Sequence, residues 1–152
     1  MKKDIGFILL SIDNSKTYDI IFKCLEDMSK DNPYNQVCVF NSQNKRIDNK
    51  KTPIFHLNQA KFFNGNLFVF DTVSLLFAKN FVCVDKIYFY VSSPLWIGKQ
   101  YSNYYEIHNL FNQENLEFIA NNQETSDIYE ICWKKPITIS GDMSYESIKE
   151  II

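Results

Sequence analysis

Short runs of apolar, β-prone residues alternate along this chain with longer stretches whose apolar positions recur every three or four residues. The clearest run, Ile87-Tyr88-Phe89-Tyr90-Val91, lies within the stretch 85–96, DKIYFYVSSPLW. It carries no charge and stops at Ser92, Ser93 and Pro94, which favour a turn. An unbroken apolar run closed by turn chemistry predicts a strand buried on both faces, in the middle of a parallel sheet. Further strands are predicted over 5–12, 36–40, 53–57, 66–70, 116–120 and 136–139. Pro53 is tolerable at the first position of its strand.

The intervening stretches read as helices. Residues 18–30 place Ile21, Cys24, Leu25 and Met28 at helical spacing, with Ser15 or Thr17 as N-cap and Pro33 as the stop. A second helix is predicted over 73–81, capped by Asp71 or Thr72. A third spans 102–112, with Tyr104, Ile107, His108 and Phe111 on one stripe. The fourth, 126–133, turns Ile128, Ile131 and Cys132 inward, and a closing helix covers 145–152. This alternation predicts the α/β class: a single Rossmann-like domain with a mainly parallel sheet of six or seven strands, helices on both faces and right-handed crossovers. Phe7, Leu9, Val39, Phe89, Val91, Phe118 and Ile119 are expected in its core.

Composition narrows the picture. A chain of 152 residues fits one domain that buries roughly 70% of its unfolded surface. The net charge of −2 argues against a broad phosphate-binding face, so direct high-affinity nucleic-acid binding is not expected. Arg46 is the only arginine among 16 basic residues, while Asn, Lys, Ile, Phe and Tyr abound. That bias reads as codon usage in an AT-rich genome, such as that of a phage or a streamlined bacterium, and not as selection for chemistry. Cys24, Cys38, Cys83 and Cys132 are widely spaced in apolar settings. They predict buried, reduced thiols and an intracellular, cytoplasmic protein, with neither a zinc site nor a disulfide framework. The first eleven residues lack the length and cleavage site of a signal peptide and read as the first strand. No run approaches the ~20 apolar residues of a membrane span.

The residues announce no reaction by motif: there is no P-loop, no G-x-G-x-x-G, no paired metal-ligand spacing and no nucleophile elbow. His56 sits among strand residues and reads as a hydrogen-bonded structural histidine in preference to a base. His108 belongs to a helix stripe, and neither histidine has a partner at metal-ligand spacing. Tyr101, Tyr104 and Tyr105 could stack a base or sugar, with helix packing as the alternative. Asp13, Asn14, Ser92, Ser93, Asn121 and Asn122 all follow predicted strands, and open α/β sheets bind ligands outside the carboxyl ends of strands. The fourth or fifth strand is expected beside the first, which would bring Ser92, Ser93 and Trp96 towards Asp13 and Asn14 as a substrate-binding crevice. The rival placement makes Trp96 a plug at the edge of the core and Asp13 part of a turn.

The run 116–148, LEFIANNQETSDIYEICWKKPITISGDMSYESI, resembles the end of the N-terminal domain of two-Rossmann-domain glycosyltransferases of the GT-B type. There a strand and serine-type turn lead to a short helix, a strand with a basic-proline step, and an Asn-Gly-Val-Asp-like hinge. The SSPLW exit followed by a tyrosine-rich helix also resembles small glycosyltransferase-like proteins of T4-like marine phages. Asn122 stands at the usual serine, and Ser140-Gly141-Asp142 matches the hinge loosely. The resemblance implies a transferase-like protein acting on a nucleotide sugar or a sugar acceptor. In that family a second domain supplies most donor contacts, and this chain ends where such a domain would begin. It is therefore expected to work with a partner or as a homo-oligomer. A non-catalytic Rossmann-like or flavodoxin-like binding module and a virion-associated structural protein are the alternatives.

Overall fold

The computed structural model describes residues 3–10, 16–31, 36–43, 51–96 and 103–152. In chain order the elements are β1 (Asp4–Leu9), α1 (Lys16–Asp31), β2 (Val37–Asn41), β3 (Ile54–His56), a 3-10 helix (Leu57–Phe62), β4 (Gly65–Val69) and α2 (Thr72–Ala78). They continue with β5 (Val84–Val91), α3 (Tyr104–Phe111), β6 (Leu116–Ala120), α4 (Gln123–Cys132), β7 (Thr138–Ile139) and α5 (Tyr145–Ile148). Among the described residues seven strands form one sheet, all parallel, in the order β3-β2-β1-β4-β5-β6-β7. This is a Rossmann-like α/β fold, in which the chain winds outward from β1 in one direction and then restarts beside it in the other.

A parallel sheet must be covered on both faces, because each crossover lays a helix across it. Ile21, Leu25 and Met28 of α1 pack on one face with Tyr145 and Ile148 of α5, over Phe7, Phe68, Tyr88 and Ile119 of the strands. The opposite face takes Leu75 of α2, Ile107 and Phe111 of α3 and Tyr129 of α4, over Val69, Phe89 and Phe118. The seven core residues expected from the sequence are all buried. Across the centre of the first face an aromatic ladder runs from strand to strand. Phe7 stacks on Phe68 with centroids 4.7 Å apart, and Phe68 on Tyr88 at 4.8 Å.

Helices α2, α3 and α4 start where short polar side chains satisfy their first free N–H groups. An Asp71 oxygen accepts from the Ser74 N–H at 2.8 Å to open α2, and Asn122 accepts from the Thr125 N–H at 2.8 Å to open α4. Asn103 does the same for α3.

Several expectations shift by local physics. The strand predicted over 53–57 shortens to Ile54–His56, because the His56 ring nitrogen accepts from the Asn58 N–H at 3.2 Å and turns the chain into the 3-10 helix. The helix predicted over 126–133 starts earlier, at its Asn122 cap, and leaves Ile131 and Cys132 exposed instead of inward. Cys83 is exposed as well, so only Cys24 and Cys38 are buried thiols. On α3, Ile107 and Phe111 face the core while Tyr104 and His108 stay exposed. The closing helix ends at Ile148 and gives way to turns. The first strand ends at Leu9, with Leu10 in a bend, while residues 11 and 12 of the prediction, the cap Ser15 and the stop Pro33 fall outside the described residues.

Candidate functional site

The reversal of winding falls between β1 and β4, which pair directly with Phe7 opposite Phe68 and Ile8 opposite Val69. Connections leave these two strands on opposite faces of the sheet, the arrangement that opens a crevice at the carboxyl ends of the strands. A cavity of about 580 Å³ opens there, on the face that α1 and α5 cover. Its base is apolar: Leu9 and Leu10 where β1 ends, Phe70 where β4 ends, and Tyr90 near the end of β5. Tyr18, Ile20 and Ile21 of α1 make one wall. Asp71, Ser92 and the turn Gly141-Asp142-Met143 add polar groups to the lining.

Both carboxylates are held by neighbouring serines. Asp71 binds Ser74 twice, through the backbone N–H and through the hydroxyl at 2.6 Å, which fixes its carboxylate at the start of α2. Asp142 accepts from the Ser144 N–H at 3.0 Å, and that bond, with the Ser144 hydroxyl, holds its carboxyl below the ordinary aspartate range. The Tyr90 hydroxyl points along the same turn and makes a long contact of 3.5 Å to the Gly141 carbonyl. Burial first, and the Asp142 charge second, push the Tyr90 phenol up from its ordinary value. It therefore remains a neutral hydrogen-bond donor at physiological pH.

The turn that carries Asp142 is itself tightly determined. Met143 adopts a φ of 51°, the left-handed region that side-chain-bearing residues rarely occupy. Its N–H donates to the Ser140 hydroxyl at 2.9 Å, and Ser140 shares a 2.7 Å hydrogen bond with Ser147. Ser140 is buried, so this knot anchors the turn to the end of β7 and sets where Asp142 stands.

Of the residues expected at the crevice, Ser92 lines the cavity. Ser93 turns to the other side, where its carbonyl accepts from the Tyr129 hydroxyl at 3.3 Å. Trp96 is half-buried edge-on against Tyr129, Trp133 and Phe111, at 4.9, 5.5 and 6.1 Å between centroids, in the layer of α3 and α4. That is the packing position of the plug. Asp13 and Asn14 lie outside the described residues, as does Tyr101. Asn121 donates its N–H to the Val91 carbonyl at 3.0 Å, and Asn122 is the cap of α4. The Tyr104 ring stacks on Trp133 and Tyr105 stays exposed, both away from the cavity.

Tyr90, Phe70, Asp71 and Asp142 were not singled out as cavity residues by sequence reasoning. A signal for Tyr90 existed: side chains alternate along a strand, so Tyr88 and Tyr90 share a face that Phe89 and Val91 do not. Which of the two faces holds the cavity depends on α1 and α5, and that is a tertiary fact.

Electrostatically the cavity is acidic. Among the described residues its lining carries Asp71 and Asp142 and no Lys, Arg or His. Such a lining repels phosphate and offers acceptors to hydroxyl or amine groups, over an apolar base on which a ring can lie. Among the described residues no group of three His, Cys, Asp or Glu side chains is placed to hold a metal ion, and no helix is long and apolar enough to cross a membrane. No family model, curated protein or solved structure matches the chain.

Proposed function

We propose that this protein is a glycosyltransferase-like module that holds the uncharged, hydroxyl-bearing partner of a sugar-transfer reaction in the switch-point cavity. The observation that carries this reading is the pairing of an apolar, aromatic base with a rim of Ser92, Tyr90 and Asp142 that includes no described cation. A sugar ring has the matching two-sided chemistry: C–H faces that lie on aromatic and aliphatic groups, and hydroxyls that donate to a carboxylate. A nucleotide sugar has a diphosphate that two carboxylates repel. The reading therefore assigns the donor's phosphates to a partner protein or to another copy of the chain. It takes the protein to be phage-encoded and cytoplasmic, and its four free thiols support a reducing compartment.

A non-catalytic binding module is the second reading, and one observation favours it. Both carboxylates at the cavity are engaged by serines, Asp71 by Ser74 and Asp142 by Ser144, so each already spends acceptor capacity within the protein that a general base would turn to a substrate proton.

A thermal-shift screen of neutral sugars, nucleosides, nucleotide sugars and inorganic pyrophosphate tests the assignment. At a hundred times its Kd a ligand adds about 2.7 kcal/mol to stability, which a melting curve resolves. We expect a neutral sugar or nucleoside to raise Tm, pyrophosphate to leave it unchanged, and Ser92→Trp to abolish the shift by filling the cavity. Stabilisation by pyrophosphate that Ser92→Trp also removes would place phosphate in the cavity and sink the reading.

A further inference from the structure

We infer that the cavity continues as a second binding subsite along the seam between α1 and α5, so that the ligand is an elongated, uncharged saccharide of two or more rings. This rests on reading the switch-point cavity as a sugar site and extends it to the length and charge of the sugar. A second cavity, of about 500 Å³, lies against α1 and α5, and Ile20 and Asp142 line both. The two cavities therefore adjoin one another at Ile20 and Asp142.

The seam stays open because of helix length. α1 has 16 residues and α5 has four, so α5 covers α1 over little more than one turn. Along α1 the second cavity is lined by Ile20, Lys23, Asp27 and Asp31, the last of them hydrogen-bonded by Tyr145 of α5. These positions recur every three or four residues and so share one helical face. From residue 20 to residue 31 that face runs about 16 Å, longer than a single pyranose ring.

The chemistry of the seam suits hydroxyls. Charged acceptors and donors follow one another along α1, with Asp27 held by Lys30 at 3.0 Å. The opposite wall is Ser144, Tyr145 and Glu146. Carboxylates outnumber ammonium groups, since Asp27, Asp31, Asp142 and Glu146 line the seam with only Lys23 and Lys30. An anionic glycan is therefore repelled from both cavities, while a neutral one finds donors and acceptors at every turn.

The test is binding of the full chain to an array of mono-, di-, tri- and longer saccharides, neutral and anionic, with affinities of the best binders measured by calorimetry. We expect a neutral oligosaccharide to bind at least tenfold tighter than its constituent monosaccharide. Lys23→Trp, at an exposed position of α1, should bring the oligosaccharide down to the monosaccharide's affinity, and Glu146→Trp should do the same from the other wall. Ser92→Trp should remove both. A monosaccharide or nucleoside that binds as tightly as every oligomer overturns the second subsite and leaves the cavity reading standing. So does a length gain that survives both tryptophan variants with their parent melting temperatures. Anionic glycans leading the array overturn the charge argument, and an array and nucleoside set with no binder at all overturns the cavity reading as well.

Discussion

Phe7 and Phe68 lie directly opposite one another on β1 and β4, their rings 4.7 Å apart and 16° from parallel, on the strand pair where the winding of the sheet reverses. Both are fully buried. Removing either ring leaves a hole in the ladder beside Phe70 and Tyr88, which stack on Phe7 and Phe68 respectively. Phe68→Ala should cost about 3–5 kcal/mol, read as a fall in the urea midpoint with an unchanged slope. A loss under about 1 kcal/mol would mean that the ladder does not support the sheet.

Gly65 begins β4 with a φ of 149°, and a Cβ there would stand 2.3 Å from the Asp4 carbonyl oxygen. The register between β4 and β5 also shifts at this residue. Gly65→Ala should therefore destabilise by at least the roughly 1–3 kcal/mol of a disallowed backbone conformation. Equilibrium denaturation checks this, and near-native stability would contradict the close approach of β1.

Glu117 carries an ionic link between strands: Lys86 at 2.9 Å and Lys134 at 3.3 Å reach its two oxygens. Burial works to raise its pKa, but the hydrogen bonds and charges of the two lysines outweigh burial and hold it below the usual value. A carboxyl that titrates lower when folded stabilises the fold fully above its unfolded pKa of about 4.3 and ceases to do so as pH falls through the folded value. Glu117→Gln should cost about 1 kcal/mol at pH 7, and parent and variant should converge in acid. A stability difference independent of pH between 7 and 3 would contradict the charge linkage.

The cysteines separate by accessibility. Burial pushes the Cys24 and Cys38 thiols up to about 12, and both are enclosed, whereas Cys83 and Cys132 are exposed. Alkylation at pH 8 should label Cys83 and Cys132 within minutes and reach the other two only in denaturant. Peptide mass mapping reads the sites, and rapid native labelling of Cys38 would contradict the packing of β2.

Much of this architecture is legible in the residues because a parallel α/β sheet writes its strands as uninterrupted apolar runs. The run 87–91 and the run 116–120 predict strands that the fold contains, side by side. What the residues conceal is direction. Ile131 and Cys132 fit a helical stripe as well as Tyr129 does, yet of the three only Tyr129 enters the core, because the flank of α4 that meets the sheet is set by packing. The cavity was legible as a location, the carboxyl ends beside β1, and Ser92 follows from that rule. Trp96 and Ser93 follow Ser92 too closely in sequence for their opposite orientation to be read. Asp142 comes from the far end of the chain, delivered by a turn whose Met143 conformation no local preference favours.

The place of β1 in the middle of the sheet has a consequence for synthesis. Asp4 pairs with Gly65, so when β1 to β3 have emerged from a ribosome, one whole edge of the first strand still has no neighbour. At 5–20 residues per second the interval between making the two halves of that pairing is about 3–12 s. During it the half-made sheet exposes the row of N–H and C=O groups that β4 will later cover, together with the bare flank of Phe7. Nascent chains of this protein thus keep that edge open to mispairing until residues 65–69 have emerged, and a chaperone that binds unpaired apolar strands would find its target in that window.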